Sequence, residues 1–140
     1  MFEHQKNPPM EPVDEVDTTL AYIDLADVKL PAGAAPLEQR HLRFRRVDVA
    51  PGGIVPYHSH ENRPAILFVF QGEIVEYNSK HEQPRVHKAP SIIAEFNEIW
   101  HWWKNETDGD VIIYAADLAE TPAADEPDDE PDGEAPDEEE

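Results

Sequence analysis

Apolar and polar positions alternate in short runs along most of this chain, and glycine and proline cut the runs apart. No stretch carries a helical period of useful length. Thr19–Leu25 reads as a first strand. In Leu42–Val49, Leu42, Phe44, Arg46 and Asp48 share one face, and Arg43, Arg45, Val47 and Val49 share the other. The second face changes from charged to apolar, which predicts a strand running from solvent into the body. Ala50–Gly53 reads as a turn and Ile54–His60 as the next strand. Ala65–Phe70 is apolar throughout, too short for a typical helix and rich in β-formers, so it reads as a buried strand. Glu73–Tyr77, Arg85–Ala89, Ser91–Phe96, Trp100–Lys104 and Val111–Asp117 complete the series. Many short strands between Gly and Pro turns predict an all-β sandwich or barrel.

The flanks differ from this body. Residues 1–18 hold Pro8, Pro9 and Pro12 and several acids without an apolar period. They read as an extended arm, either a mobile terminus or a segment that pairs with a partner subunit. Residues 119–140 form a tail in which 11 acids fall after Leu118 and Ala119 within 121–140, with no Lys or Arg there. Such a segment cannot bury enough apolar area to offset ordering, so disorder is expected, as a solubilising or an acidic interaction tail. The body, residues 19–118, is long enough for one core.

Charge narrows the partners. The chain has 31 acids against 11 Lys and Arg, which argues against nucleic acid and anionic membranes. There is no cysteine, so disulfides and thiolate ligands are excluded. No apolar run approaches the ~20 residues of a membrane span. No basic stretch followed by an apolar one opens the chain, and a cytoplasmic location is expected.

Histidine carries the candidate chemistry. His58 and His60 are two apart in a strand, so both imidazoles point the same way, with Cα atoms roughly 6.5–7 Å apart. That spacing lets two ring nitrogens meet one metal ion, each about 2.1 Å away. His101 lies on another strand and Asn105 follows four residues later. His4, His41, His81 and His87 fall outside the pattern and are expected at the surface.

Gly52, His58, His60 and Gly72, followed by His101 and Asn105, make the chain resemble the cupin family over roughly Leu42–Leu118. The family's first motif brackets His-x-His with glycines, and its second sets a histidine four residues before an asparagine. Phe96 and Glu98 depart from the proline and glycine of the second motif. Ala65, counted back from Gly72, or Pro64 under a shorter gap, stands where the family carries a liganding glutamate. The resemblance therefore implies a single cupin-type double-stranded β-helix, or jelly-roll barrel, with a three-histidine site at His58, His60 and His101. It implies one divalent transition metal, with iron, nickel, copper and zinc all compatible with imidazole ligands.

In that register Ala65 and Leu67 face the cavity, and Trp103 shares the face of His101. Trp100 and Trp102 are expected on the opposite side or in an interface. Arg43 and Arg45 either clamp a carboxylate in the pocket or sit at the exposed end of their strand. Glu61 is expected to face away from the site, and the spacing does not place Glu95. The implied function is a mononuclear-metal dioxygenase acting on a small chelating molecule. The alternatives are a non-catalytic binding module and an isomerase or lyase acting on a carboxylate or sugar acid. An arginine in the pocket favours the last, and an apolar pocket favours the dioxygenase. A homodimer is expected, as is common in the family.

Overall fold

The computed structural model describes residues 1–122; most of the predicted acidic tail, from residue 123 on, lies outside the described residues. Eight strands follow in order: β1 (Val13–Asp24), β2 (Arg40–Ser59), β3 (Ala65–Gln71), β4 (Glu73–Asn78), β5 (Arg85–Lys88), β6 (Ser91–Glu95), β7 (Trp100–Lys104) and β8 (Val111–Glu120). They form one curled sheet in the order β5-β4-β7-β2-β8-β3-β6, with β1 paired to β2. This is the nearly closed β-barrel that the short alternating runs predict. Single 3₁₀ turns at Glu3–Gln5 and Leu25–Asp27 are the remaining regular elements among the described residues. No helix there is long and apolar enough to cross a membrane.

Two elements differ from the sequence expectation. Ala50–Gly53 does not separate two strands. It is a bend inside the 20-residue β2, where Gly52 takes φ +78° and Gly53 packs so closely that a Cβ would lie 2.7 Å from Val49 Cγ1. The glycines let one strand change direction without ending. Its first half pairs with β8 from Arg40 to Val49 and with β1 on the other edge. Its second half pairs with β7, placing His58 opposite His101.

The other is β1, which starts at Val13 rather than Thr19. Its register with β2 sets Glu15 opposite Val49, Asp17 opposite Val47 and Thr19 opposite Arg45. Directly paired residues share a face. Glu15, Asp17 and Thr19 therefore face the barrel interior with Val47 and Val49. Val16 and Leu20, on the other face, are exposed.

The core is built from alternate residues: Val47 and Val49 on β2, Leu67 and Val69 on β3, Ile113 and Ala115 on β8, closed by Ile74 and Trp103. Each fully buried Val or Ile contributes about 1.5–3 kcal/mol by leaving water. The opposite face of the same strands is also apolar but open. Phe44, Ile66, Phe70 and Ile92 are 45%, 57%, 53% and 74% exposed.

Candidate metal centre

The β2–β7 pairing brings three imidazoles to one point. His101 Nε2 lies 3.0 Å from His58 Nε2 and 3.0 Å from His60 Nε2. Each ring is fixed from its other side. His58 Nδ1 donates to the Pro56 carbonyl at 2.7 Å, His60 Nδ1 to the Arg63 carbonyl at 3.0 Å, and His101 Nδ1 to Glu76 Oε2 at 2.6 Å. Carbonyl oxygens only accept, so the proton of His58 and of His60 sits on Nδ1. Nε2 then presents a lone pair on each ring. Three converging lone pairs repel unless a cation lies among them. The donor set therefore fits a metal ion held by His58, His60 and His101, with open positions beyond three ligands. Burial, together with the neighbouring His101, pushes His58 down to about 3, and burial pushes His60 down to about 4. Both rings are neutral near pH 7, as ligation requires.

Behind His101 lies a carboxylate support that the sequence did not place. Glu76 and Glu95 are each 2% exposed. Glu76 also accepts from His87 Nε2 at 2.8 Å and from Asn78 Nδ2 at 2.8 Å. Burial opposes its charge, but the bonds from His101 and His87 hold Glu76 well below the usual carboxylate range. Burial and the Glu76 charge push Glu95 up to about 8. Glu95 Oε1 stands 3.7 Å from His101 Nδ1. His87, expected at the surface, is thus a part of the support: its side chain is 13% exposed. The signal was available, since Ile74, Glu76 and Asn78 are spaced two apart and share the buried face.

A cavity of about 250 Å³ opens in front of the triad. Its floor is apolar, made by Val47, Val55, Leu67, Trp103, Ile113 and Ala115. Its polar wall holds Glu15, Asp17, Arg45 and Arg63. Leu67, Trp103 and Arg45 are among its lining residues. Ala65 and Arg43 are not among its lining residues. Ala65 is buried on the inner face between Glu95 and Asp117 in the neighbouring strands. Arg43 is bound to Asp117, with Nε at 2.9 Å from Oδ1 and Nη2 at 2.8 Å from Oδ2. Of the other tryptophans, Trp100 stacks on Tyr57 and Trp102 on Tyr77.

Asp117 is the hub of the arginines. Its side chain is fully buried; Arg63 Nη1 binds it at 2.7 Å, and Arg45 Nε lies at 3.4 Å. Arg45 Nη1 reaches Asp17 on β1. Burial disfavours the Asp117 charge, but the Arg43 bond and the Arg45 charge outweigh it and lower its pKa. Three guanidiniums face one buried carboxylate, so Arg45 and Arg63 are oriented yet leave positive charge over for the cavity. Arg63 was not singled out from sequence because it lies in the turn after His60, where no periodicity applies.

A curled antiparallel barrel with a histidine triad at the inner end of its bent strand defines a small β-barrel protein with a candidate metal centre. The Cupin domain family model matches residues 45–117, and the chain belongs to that family. No curated protein matches the chain. Among solved structures, a predicted oxalate decarboxylase from Thermotoga maritima is 23% identical, with 55% of this chain and 65% of that one covered, at a TM-score of 0.50. A recombinant oxalate oxidase in complex with glycolate is 23% identical, with 81% and 55% covered, at 0.57. The polyketide cyclase RemF from Streptomyces resistomycificus is 16% identical, with 82% and 72% covered, at 0.61. At these identities the likeness is one of fold. The chain spans 55% to 65% of the oxalate proteins it matches.

Proposed function

We propose that this protein is a metal-dependent enzyme acting on a small carboxylate that chelates the ion, as an isomerase or lyase. The observation that carries the proposal is the pairing of three converging Nε2 lone pairs with Arg45 and Arg63 in one cavity. The ion, once bound, would supply a Lewis acid that stabilises the anionic form of the substrate. The protein does the rest. Arg63 and Arg45 attract and orient the carboxylate, and Asp117 holds both guanidiniums in place. The apolar floor excludes water and strengthens these contacts. A cavity below the usual range of about 300–1,000 Å³ restricts the ligand to a few non-hydrogen atoms.

The apolar floor also supports the dioxygenase reading, which takes a neutral chelator beside dioxygen. The two arginines favour the carboxylate. The test begins with elemental analysis of anaerobically purified protein, where about one metal per chain is expected, and its loss from His60→Ala. Small hydroxy and keto carboxylates are then screened for turnover with an oxygen electrode in the cell. Turnover without oxygen uptake supports the proposal. Oxygen consumption with neutral diketones gives the dioxygenase instead, and metal-replete protein that turns over neither is a binding module.

A further inference from the structure

β1 is built the wrong way round for an ordinary edge strand. Its acids Glu15 and Asp17 face the interior, while Val16 and Leu20 face out. A bulge accompanies this inversion. The register with β2 shifts between Val13 and Glu15, and Asp14 takes φ +47°, in the left-handed region that a non-glycine residue rarely occupies. The extra residues at this shift are Ala50–Gly53 of β2, and backbone held in the left-handed region persists only where the surroundings enforce it. Glu15, paired opposite Val49 just past this shift, enters the wall of the metal cavity with Arg45 and Arg63.

The neighbours divide the acids' roles. Asp17 takes the Arg45 guanidinium as its ion-pair partner. Glu15 is left facing the cavity, in the same small volume as His58 and His60. We propose that Glu15 is a further catalytic residue of this cavity, the proton donor that touches an anionic oxygen of the bound ligand. This role rests on the carboxylate reading given above.

The charged groups around Glu15 agree with that role. From its own strand comes Asp17, from β2 come Arg45 and His58, and from the segment after β2 come His60 and Arg63. Burial first, and then the Asp17 charge, push Glu15 up to about 7, against the pull of Arg45. The group is therefore poised to hold a proton near neutrality and to release it. In the donating step the Glu15 O–H bond breaks and the ligand oxygen gains the proton. The carboxylate left behind lies beside Arg45, which stabilises its charge. The proton returns from water when the product leaves.

The test uses the full-length, metal-loaded protein and glycolate, a 2-hydroxy acid ionised throughout the neutral range. A bound anion favours the protonated form of Glu15, so binding should draw a proton from buffer. Calorimetry at about pH 7.5 in two buffers of different ionisation enthalpy should give uptake of roughly half a proton or more for wild type and near zero for Glu15→Gln. Wild-type affinity should fall towards about tenfold per pH unit above pH 8, where that of Glu15→Gln stays flat. Equal proton uptake in the two proteins overturns the role of Glu15 alone. Absence of metal, or of glycolate binding to metal-loaded protein, overturns the carboxylate reading and this role with it; metal content and affinity, measured on the same samples, separate the two failures. Should Glu15→Gln not fold, carbon-13 titration of the wild-type Glu15 carboxyl decides. A midpoint near 7 that rises with glycolate supports the role, and one at an ordinary carboxylate value overturns it.

Discussion

Replacing Glu76 with Gln isolates the contribution of the support behind His101. The wild-type carboxylate takes three donors: His101 Nδ1 and Asn78 Nδ2 on Oε2, and His87 Nε2 on Oε1. A carboxamide offers one oxygen. In the gentler orientation that oxygen faces His101 and Asn78, and the new NH₂ faces His87, which can switch tautomer and accept. His101 then keeps a bond but loses its charge assistance. A bond to a charged group is worth about 1.5–3 kcal/mol and a neutral one about 0.5–1.5 kcal/mol. The difference, about 1–1.5 kcal/mol, corresponds to roughly tenfold weaker metal binding, at the low end of the 10–100-fold usual for lost support of a metal-bound histidine. The opposite orientation turns an N–H toward His101 Nδ1 and costs more. Competition of the loaded protein against a chromophoric chelator measures the change, with circular dichroism to confirm the fold. Metal affinity within twofold of wild type in a folded Glu76→Gln protein would refute the reasoning, since His101 would then be held in place without the carboxylate.

Two further predictions follow from burial and from the open face. In protein stripped of metal by a chelator, His58 and His60 are depressed to about 3 and about 4. Below about pH 6.5 the unfolded chain therefore binds more protons than the folded one, and stability should fall with pH by up to about 1.4 kcal/mol per unit for each ring. Urea melts between about pH 7 and pH 5 check this, and a flat stability would show that the rings are not desolvated. The second concerns the face formed by Phe44, Ile66, Phe70 and Ile92. In a chain of net charge -20, most of the surface repels a second copy, whereas this apolar face does not. Light scattering should give twice the chain mass, and Ile92→Lys should shift the protein to monomer with its melting temperature little changed. A monomeric wild type would exclude the face as a subunit contact.

The alternation of Leu42–Val49 marked Val47 and Val49 for the body, and spacing alone set His58 with His60 and His101 with Trp103 on shared faces. These are properties of a strand read two residues at a time. That these faces turn inward was implied only by the resemblance to the cupin family. Where the site depends on something else, the sequence was silent. Arg63 reaches Asp117 from a turn. Glu15 enters the cavity through its pairing opposite Val49, in a segment that looked like a polar arm. Glu95 and His87 approach Glu76 from short strands whose pairing is set by the barrel rather than by their own pattern. The bend at Gly52 and Gly53 was read as a chain break because glycine pairs usually mark turns, whereas β1 pairs with β2 on both sides of it, at Val49 and at Ile54, with a register shift between.

That continuity makes β2 a covalent ruler. Arg45 and His58 are carried by the same stretch of backbone, so the distance from the charge clamp to the candidate metal ligands is fixed by peptide geometry, by the bend at Gly52 and Gly53 and by a bulge between Val55 and His58. A substitution that loosens packing elsewhere in the barrel should weaken every ligand alike and leave their ranking unchanged. A change at Gly52 or Gly53, by contrast, would reset the scale itself, and ligands longer or shorter by one carbon would exchange places.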